Sequence, residues 1–276
     1  KRVMEQNKKI EKDRKLEGDR KTEGKRKTEI HDILLQLISV VFWLCIWAAA
    51  ARIMNNKILF VGPRETLCAF IRIVKNPKVA ECIFNSILKI VGGLFIGTLG
   101  GVFTATLSYK CRIFKVLLRP VVTLFKTVPV ACMAVILLVF TGSKNIGFII
   151  PFMVTFSVIY FNALKGLEET DEKLVEMVRI YHVSFIKKSK YIYMPSMYTY
   201  LYPGMQAAVG MAWKSGVAGE ILGQAENTMG NSIYRAKIYL ETGDMLAWTA
   251  GVIILSFVTE KIFLFFLKKI MNGSAR

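Results

Sequence analysis

Residues 145–195 read NIGFIIPFMVTFSVIYFNAL and then KGLEETDEKLVEMVRIYHVSFIKKSKYIYMP. The first stretch, Asn145–Leu164, carries no charge in 20 residues, and about 20 helical residues at 1.5 Å each cross a bilayer core. The second stretch is built differently. Leu174, Met177, Val178 and Tyr181 fall at i, i+3, i+4 and i+7, one apolar face of a helix over 171–181, with Glu172, Glu176 and Arg179 opposite. Glu168, Glu169, Asp171 and Glu172 gather at its start, where the helix dipole favours negative charge. After a turn at His182-Val183, Ser184 is placed to cap a second short helix bearing Phe185, Lys187, Lys188 and Ile192. Pro195 is expected to break the pattern before the next apolar run. A span is thus followed by an amphipathic helix–turn–helix. Its apolar face needs a cover, either the protein's own surface or a groove on a soluble partner.

Working outward, further runs pass the same length test. Ile33–Ala51 is uncharged, interrupted only by Gln36 and Ser39, and Ile90–Tyr109 is uncharged, with Ala80–Ile90 extending it at the cost of Glu81 and Lys89. Val121–Gly142 holds only Lys126, Leu201–Leu222 holds Lys214 and Glu220, and Met245–Leu267 holds Glu260 and Lys261. The expectation is an all-α membrane protein with six transmembrane helices. It also resolves a conflict in the composition of this 276-residue chain, which is 53% hydrophobic, with mean hydropathy +0.41, yet has a net charge of +18. Charge and apolar content sit in different segments, which excludes an ordinary globular enzyme.

Basic residues in short loops set orientation. With the N-terminus inside, the inner side collects the basic residues of 1–27, 110–119 and 165–190 and those from Lys261 onward, 26 against 8 outside. Both termini are therefore expected in the cytoplasm. The expected layout is a charged tail over 1–32, a first span over 33–54 and an extracytoplasmic segment over 55–79. A five-span core over 80–270 follows, containing the loop 165–200, and then a short tail over 271–276. Within 55–79, Thr66–Val74 reads as a short helix lying on the membrane face; the loop 224–243 is long enough to meet an external protein.

The tail holds 12 basic and 7 acidic residues in Lys1–Ile30 with a loose repeat (RKLEGD, RKTEGK, RKTE) and no apolar stripe. It reads as a solvated segment, with an electrostatic hold on anionic membrane lipid as the functional alternative. No aromatic is interleaved to stack on bases, so nucleic acid is not expected as a partner. Five cysteines make no disulfide framework. Cys45, Cys111 and Cys132 read as small apolar thiols, and only Cys68 and Cys82, in one external segment, leave a disulfide open. Gly92-Gly93, Gly97 and Gly100-Gly101 on the second span, and Gly204, Gly210, Gly216 and Gly219 on the fifth, suit close helix approach.

The loop resembles the "EAA" loop of ABC importer permease subunits. There, Glu-Ala-Ala is followed by Gly at +6, Ile at +16 and Leu-Pro at +18 and +19; here the positions read Glu176-Met177-Val178, His182, Ile192 and Met194-Pro195. The wider likeness is to the nitrate/sulfonate/taurine type, from about Asn85 to Leu267, taking in Asn85–Gly93, Leu118-Arg119-Pro120, Lys126–Val130 and Ala212–Glu220. The resemblance implies the type I ABC importer permease fold with a cytoplasmic coupling helix–turn–helix, and a subunit with no active site or cofactor of its own. It implies a second permease copy or homologue, a cytoplasmic ATPase dimer that carries the ATP and Mg²⁺, an extracytoplasmic solute-binding protein and a bacterial inner-membrane location. It assigns the ATPase-coupling role to Glu176, Met177, Val178, His182, Ile192 and Pro195. Two positions depart from the pattern: Met177-Val178 is bulkier than Ala-Ala, and His182 stands where glycine tolerates a positive φ without penalty. His182 is read either as a surface turn residue or as a direct contact to the ATPase.

Lys89, Lys126, Lys214 and Glu220 lie within spans, where ionisable side chains line a cavity or meet a partner. As pathway residues the lysines favour an anionic solute such as a sulfonate or nitrate, while the resemblance also leaves a vitamin precursor open; snorkelling or interhelical pairing is the other reading of the lysines. The chain has two histidines, His31 and His182, and neither a Cys/His metal spacing nor a phosphate-binding G-x-x-x-x-G-K-[ST] loop. An ion-coupled secondary transporter, with Glu220 as its coupling carboxylate, and a membrane-anchored scaffold remain the competing classes.

Overall fold

The computed structural model describes residues 34–54 and 60–274; the tail 1–32 with His31, and residues 55–59 of the expected external segment, lie outside them. Among the described residues the protein is helical throughout. Contacts divide the chain into two units, Lys1–Glu65 and Thr66–Arg276. In the first, helix α1 (Leu34–Met54) matches the first expected span. Trp47 Nε1 donates to the Val61 carbonyl at 3.1 Å, bringing the chain after α1 back along it.

The rest of the chain comprises α2 (Pro63–Val74), α3 (Pro77–Lys110), α4 (Arg112–Thr127), α5 (Val130–Glu168), α6 (Glu172–Ile180), α7 (Phe185–Lys188), a π-helical turn (Ser189–Tyr193), α8 (Met194–Gly223), α9 (Met229–Ile238) and α10 (Thr242–Ser274). Among the described residues α1, α3, α5 and α10 are long and apolar enough to cross a membrane. Helix α8 is as long as these but more polar, carrying Gln206, Lys214 and Glu220.

Helices α3, α5 and α8 form the core, and glycine sets their spacing. A Cβ at Gly93 would lie 2.4 Å from the Phe148 carbonyl oxygen, one at Gly97 would lie 2.8 Å from that of Phe152, and one at Gly216 would lie 2.7 Å from Ile90 Cγ1. The four-residue spacing on α3 therefore serves direct backbone approach to α5. Ile90, Leu94, Ile159, Tyr160, Ala208, Val209 and Trp213 fill the space between. Tyr160 donates to Ser108 Oγ at 3.0 Å, and Ser196 to the Gly166 carbonyl at 2.7 Å, tying α5 to α3 and α8.

Helix α5 is two antiparallel pieces. Gly142, with φ 70° and ψ 175°, leaves the helical region and turns the chain back. Ala134 then packs with Ile146 and Ile150, Val130 and Leu138 join the same cluster, and farther along the Phe125 ring meets that of Phe156. This reversal separates the third and fourth expected spans. Cysteines 45, 68, 82, 111 and 132 are all free, so Cys68 and Cys82 form no disulfide.

Two expectations are corrected. The basic stretch Lys110–Arg119, read as a loop, is helical from Arg112, with only Cys111 between α3 and α4. Its periodicity explains this: Ile113, Val116, Leu117, Val121 and Leu124 make one stripe, and Arg112, Lys115 and Arg119 another. The helix ends where Pro129 forces Val128 into an extended conformation. Pro195, expected to break the chain before the fifth span, instead sits in the first turn of α8. The π-helical turn before it has Met194 N–H donating to the Ser189 carbonyl, five residues back, and this wider turn makes room for the proline ring without ending the helix.

Candidate functional site

The segment between α5 and α8 is a hook. Asp171 caps α6, its carboxylate accepting from Lys173 N at 2.9 Å. The other end closes with His182 at φ 48°. His182 N donates to the Arg179 carbonyl at 3.3 Å and Val183 N to the Val178 carbonyl at 3.2 Å. That pair of bonds is a Schellman motif, whose left-handed residue is usually glycine. His182 thus adopts the backbone state that glycine takes most easily. Ser184 stands at the cap of α7, its carbonyl accepting from Lys188 N at 3.0 Å.

The apolar face of α6 does not fold back onto the protein. Val178 alone is buried, at 6% exposure, while Ile180 and Tyr181 are 73% and 75% exposed and Leu174, Met177 and Ile186 are also open. Glu176 and Pro195 are exposed and Ile192 half-buried. Val178 anchors the hook. At its base the Tyr109 and Tyr193 rings meet edge-on at 5.6 Å, and Lys115 pairs with Glu168.

The four in-span charges separate into two groups. Lys126 from α4 and Lys214 from α8 line one groove of about 480 Å³, together with Phe125, Val154, Ser157, Val158, Met211 and Ser215. Lys126 Nζ lies 5.3 Å from the centre of the Phe161 ring, a cation–π contact that the sequence did not signal. Glu220 is not part of this groove. It is fully buried, and its Oε2 accepts from Ser86 Oγ at 2.8 Å and from Gly230 N at 3.1 Å. Lys89, half-buried on α3, lies within electrostatic reach of that carboxyl group.

Glu220 is clamped from several sides. Ser86 Oγ also accepts from Met229 N at 2.9 Å, and Thr228 caps α9 by accepting from Asn231 N at 3.2 Å. Gly147 and Gly230 give the side chain its room; a Cβ at Gly230 would lie 2.3 Å from Glu220 Cβ. Neither Ser86 nor the 228–230 turn was marked by the sequence, because each acquires its role only through a residue more than nine positions away. Among the described residues no group of His, Cys, Asp and Glu side chains is placed to hold a metal ion.

A helical chain with several helices long and apolar enough to cross a membrane, and with an exposed amphipathic hook, is to be set beside proteins of similar sequence. Residues 97–272 match the model of the binding-protein-dependent transport system inner membrane component. The chain belongs to this family. The permease is 21% identical over 223 residues to a probable ABC transporter permease protein of Brucella melitensis biotype 1, covering 80% of this chain and 87% of the relative. It is 21% identical over 207 residues to the bicarbonate transport system permease protein of Synechococcus elongatus, covering 70% and 73%. It is 24% identical over 155 residues to the nitrate import permease protein of the same organism, covering 56% and 55%. As an inner-membrane transport component, the permease works in an ABC system with an ATPase and a solute-binding protein.

Proposed function

We propose that the permease is a non-catalytic importer subunit that spans the membrane six times, through α1, α3, the two arms that meet at Gly142, α8 and α10. The tails 1–32 and 271–276 and the loop 165–200 face the cytoplasm, and residues 55–79 face outward. The hook docks into a cleft on one subunit of an ATPase dimer, the second permease's hook taking the other, with Glu176, Met177, Val178, His182, Ile192 and Pro195 forming the coupling element. ATP and Mg²⁺ belong to that ATPase. Two permease copies or homologues frame a solute path, and an external binding protein delivers the solute. The groove between α4, α5 and α8 is the candidate path, and Lys126 and Lys214 its candidate lining. Two of the named relatives are bicarbonate and nitrate transport permeases, which supports a small anion as the solute.

One observation carries this reading: the apolar residues of α6 around the buried Val178 are left open to solvent. A helix face of that kind, set between membrane helices, fits a partner's groove. The permease, expressed with its ATPase and solubilised in detergent, is expected to copurify with it as an ATP-hydrolysing complex. An unaltered permease that binds no ATPase, or that moves solute in vesicles without ATP, overturns the reading.

A further inference from the structure

The base of the hook encloses a small cavity of about 120 Å³, away from the groove of Lys126 and Lys214. Tyr109 and Lys110 reach it from the end of α3, Lys188 and Ser189 from the start of the π-helical turn, and Leu167 and Met197 from α5 and α8. Sites for drug-sized ligands run to several hundred Å³, so this one has room for a single phosphate-sized group. Its lining is basic and contains no Asp or Glu. Glu168, within electrostatic reach of the Tyr109 hydroxyl, is paired with Lys115. The carbonyl end of α3 is also partly occupied, since Cys111 N donates to the Leu107 carbonyl at 2.9 Å.

The surroundings place the cavity at headgroup depth. Tyr109 closes the uncharged run of α3 and Lys110 follows it directly, the point where an apolar bilayer core gives way to its interface. Three lysines around the hook lie over tyrosine rings, Lys165 on Tyr200 and Lys188 on Tyr193 at 5.4 Å, and Lys190 on Tyr191 at 5.3 Å. Tyrosine gathers at membrane interfaces, and basic pockets on the cytoplasmic side suit anionic headgroups.

Resting on the cytoplasmic placement of the hook, we infer that this cavity holds the phosphate of an anionic phospholipid of the inner leaflet, between Lys110 and Lys188. The two ammonium groups and the Ser189 hydroxyl donate to the phosphodiester oxygens, bonds strengthened by the opposite charges. The glycerol and first acyl carbons lie against Leu167, Met194 and Met197. That apolar wall favours a lipid over free phosphate, which has nothing to cover it with. Lys110 ends a membrane helix and Lys188 belongs to the hook. A phosphate bound to both therefore braces the coupling element against the membrane body.

The test uses the full chain, delipidated in detergent, with bound lipid counted by native mass spectrometry. Dioctanoyl phosphatidylglycerol is the probe, compared with dioctanoyl phosphatidylcholine and with inorganic phosphate at equal ionic strength. A single phosphatidylglycerol per chain is expected to bind about tenfold more tightly than phosphatidylcholine, and inorganic phosphate is expected not to displace it. Lys110→Gln combined with Lys188→Gln should abolish the preference, while Lys187→Gln, at an exposed neighbour outside the cavity, should leave it intact. If the double variant does not fold, Ser189→Phe replaces it: both charges stay, the cavity is filled, and the same loss is expected. Absence of the preference overturns the site. So does an equal loss in Lys187→Gln, which marks a diffuse basic surface, or displacement by inorganic phosphate, which marks a free-anion site. Copurification of the ATPase with the unaltered chain is scored separately. Its presence without a lipid preference sinks the lipid site alone, and its absence beside a clear preference sinks the permease reading alone.

Discussion

Ser86 on α3 donates its hydroxyl proton to Glu220 Oε2 on α8 at 2.8 Å, across 134 positions of sequence, and takes the Met229 backbone proton at 2.9 Å on the same oxygen. Through this chain of bonds one fully buried carboxyl group holds α3, α8 and the start of α9 together. Glu220→Ala strands the Ser86 hydroxyl and the Gly230 amide in a buried space and is expected to cost about 3 kcal/mol. Thermal unfolding in detergent measures the loss, and hydrogen exchange should localise it to the Met229 and Gly230 amides. Glu220→Gln keeps an acceptor at the same place and should lose markedly less. Equal losses in the two variants would show that volume, not the bonds, is what Glu220 supplies.

The α3–α5 seam makes a sharp contrast between glycines. Gly93→Ala places a methyl group against the Phe148 carbonyl oxygen, backbone that cannot rotate away. It is expected to destabilise by about 3 kcal/mol, the scale of core overpacking. Nothing lies within 4 Å of a Cβ at Gly210, so Gly210→Ala should melt at or above the parent temperature through its better helix propensity. A thermal-shift comparison of the two checks the assignment.

His182 reports on the hook's backbone. At φ 48° it bears a left-handed strain that glycine lacks, so His182→Gly should stabilise the turn by about 1 kcal/mol, while the β-branched His182→Val should weaken it. ATPase association is expected to survive the glycine substitution, because the backbone turn is what His182 provides. Loss of copurification in that variant would instead assign the imidazole a direct contact.

Met177 and Val178 are neighbours with opposite duties. Met177 is exposed and Val178 buried. Met177→Glu should leave the melting temperature near the parent value while weakening ATPase copurification by about tenfold, the cost of placing a charge in an apolar docking face. Val178→Ala should lower the stability of the hook itself by about 1–2 kcal/mol, a buried branched side chain being lost.

Much of this protein could be read from its chain alone. Uncharged runs such as Asn145–Leu164 announce their bilayer helices because the solvent there rejects charge residue by residue, a local criterion. The 3.6-residue period of Leu174, Met177, Val178 and Tyr181 disclosed α6 for the same reason, as a property of one helix. The amphipathic α4 is hard to read from the chain because its basic stripe, Arg112, Lys115 and Arg119, has the composition of a cytoplasmic loop while its apolar stripe shows only at helical spacing. The helix continues through Pro195 because the π-helical turn before it is set by five residues acting together, not by the proline.

What tertiary structure alone decided is which distant residues meet. Lys126 and Lys214 each looked like an isolated in-span charge, and Lys89 and Glu220 looked the same. Only the reversal at Gly142 and the glycine-spaced packing of α3, α5 and α8 bring the first two to one groove and bury Glu220 against Ser86. Solvent preference and helical period are written along the chain. A juxtaposition depends on the crossing of helices, which no single segment encodes.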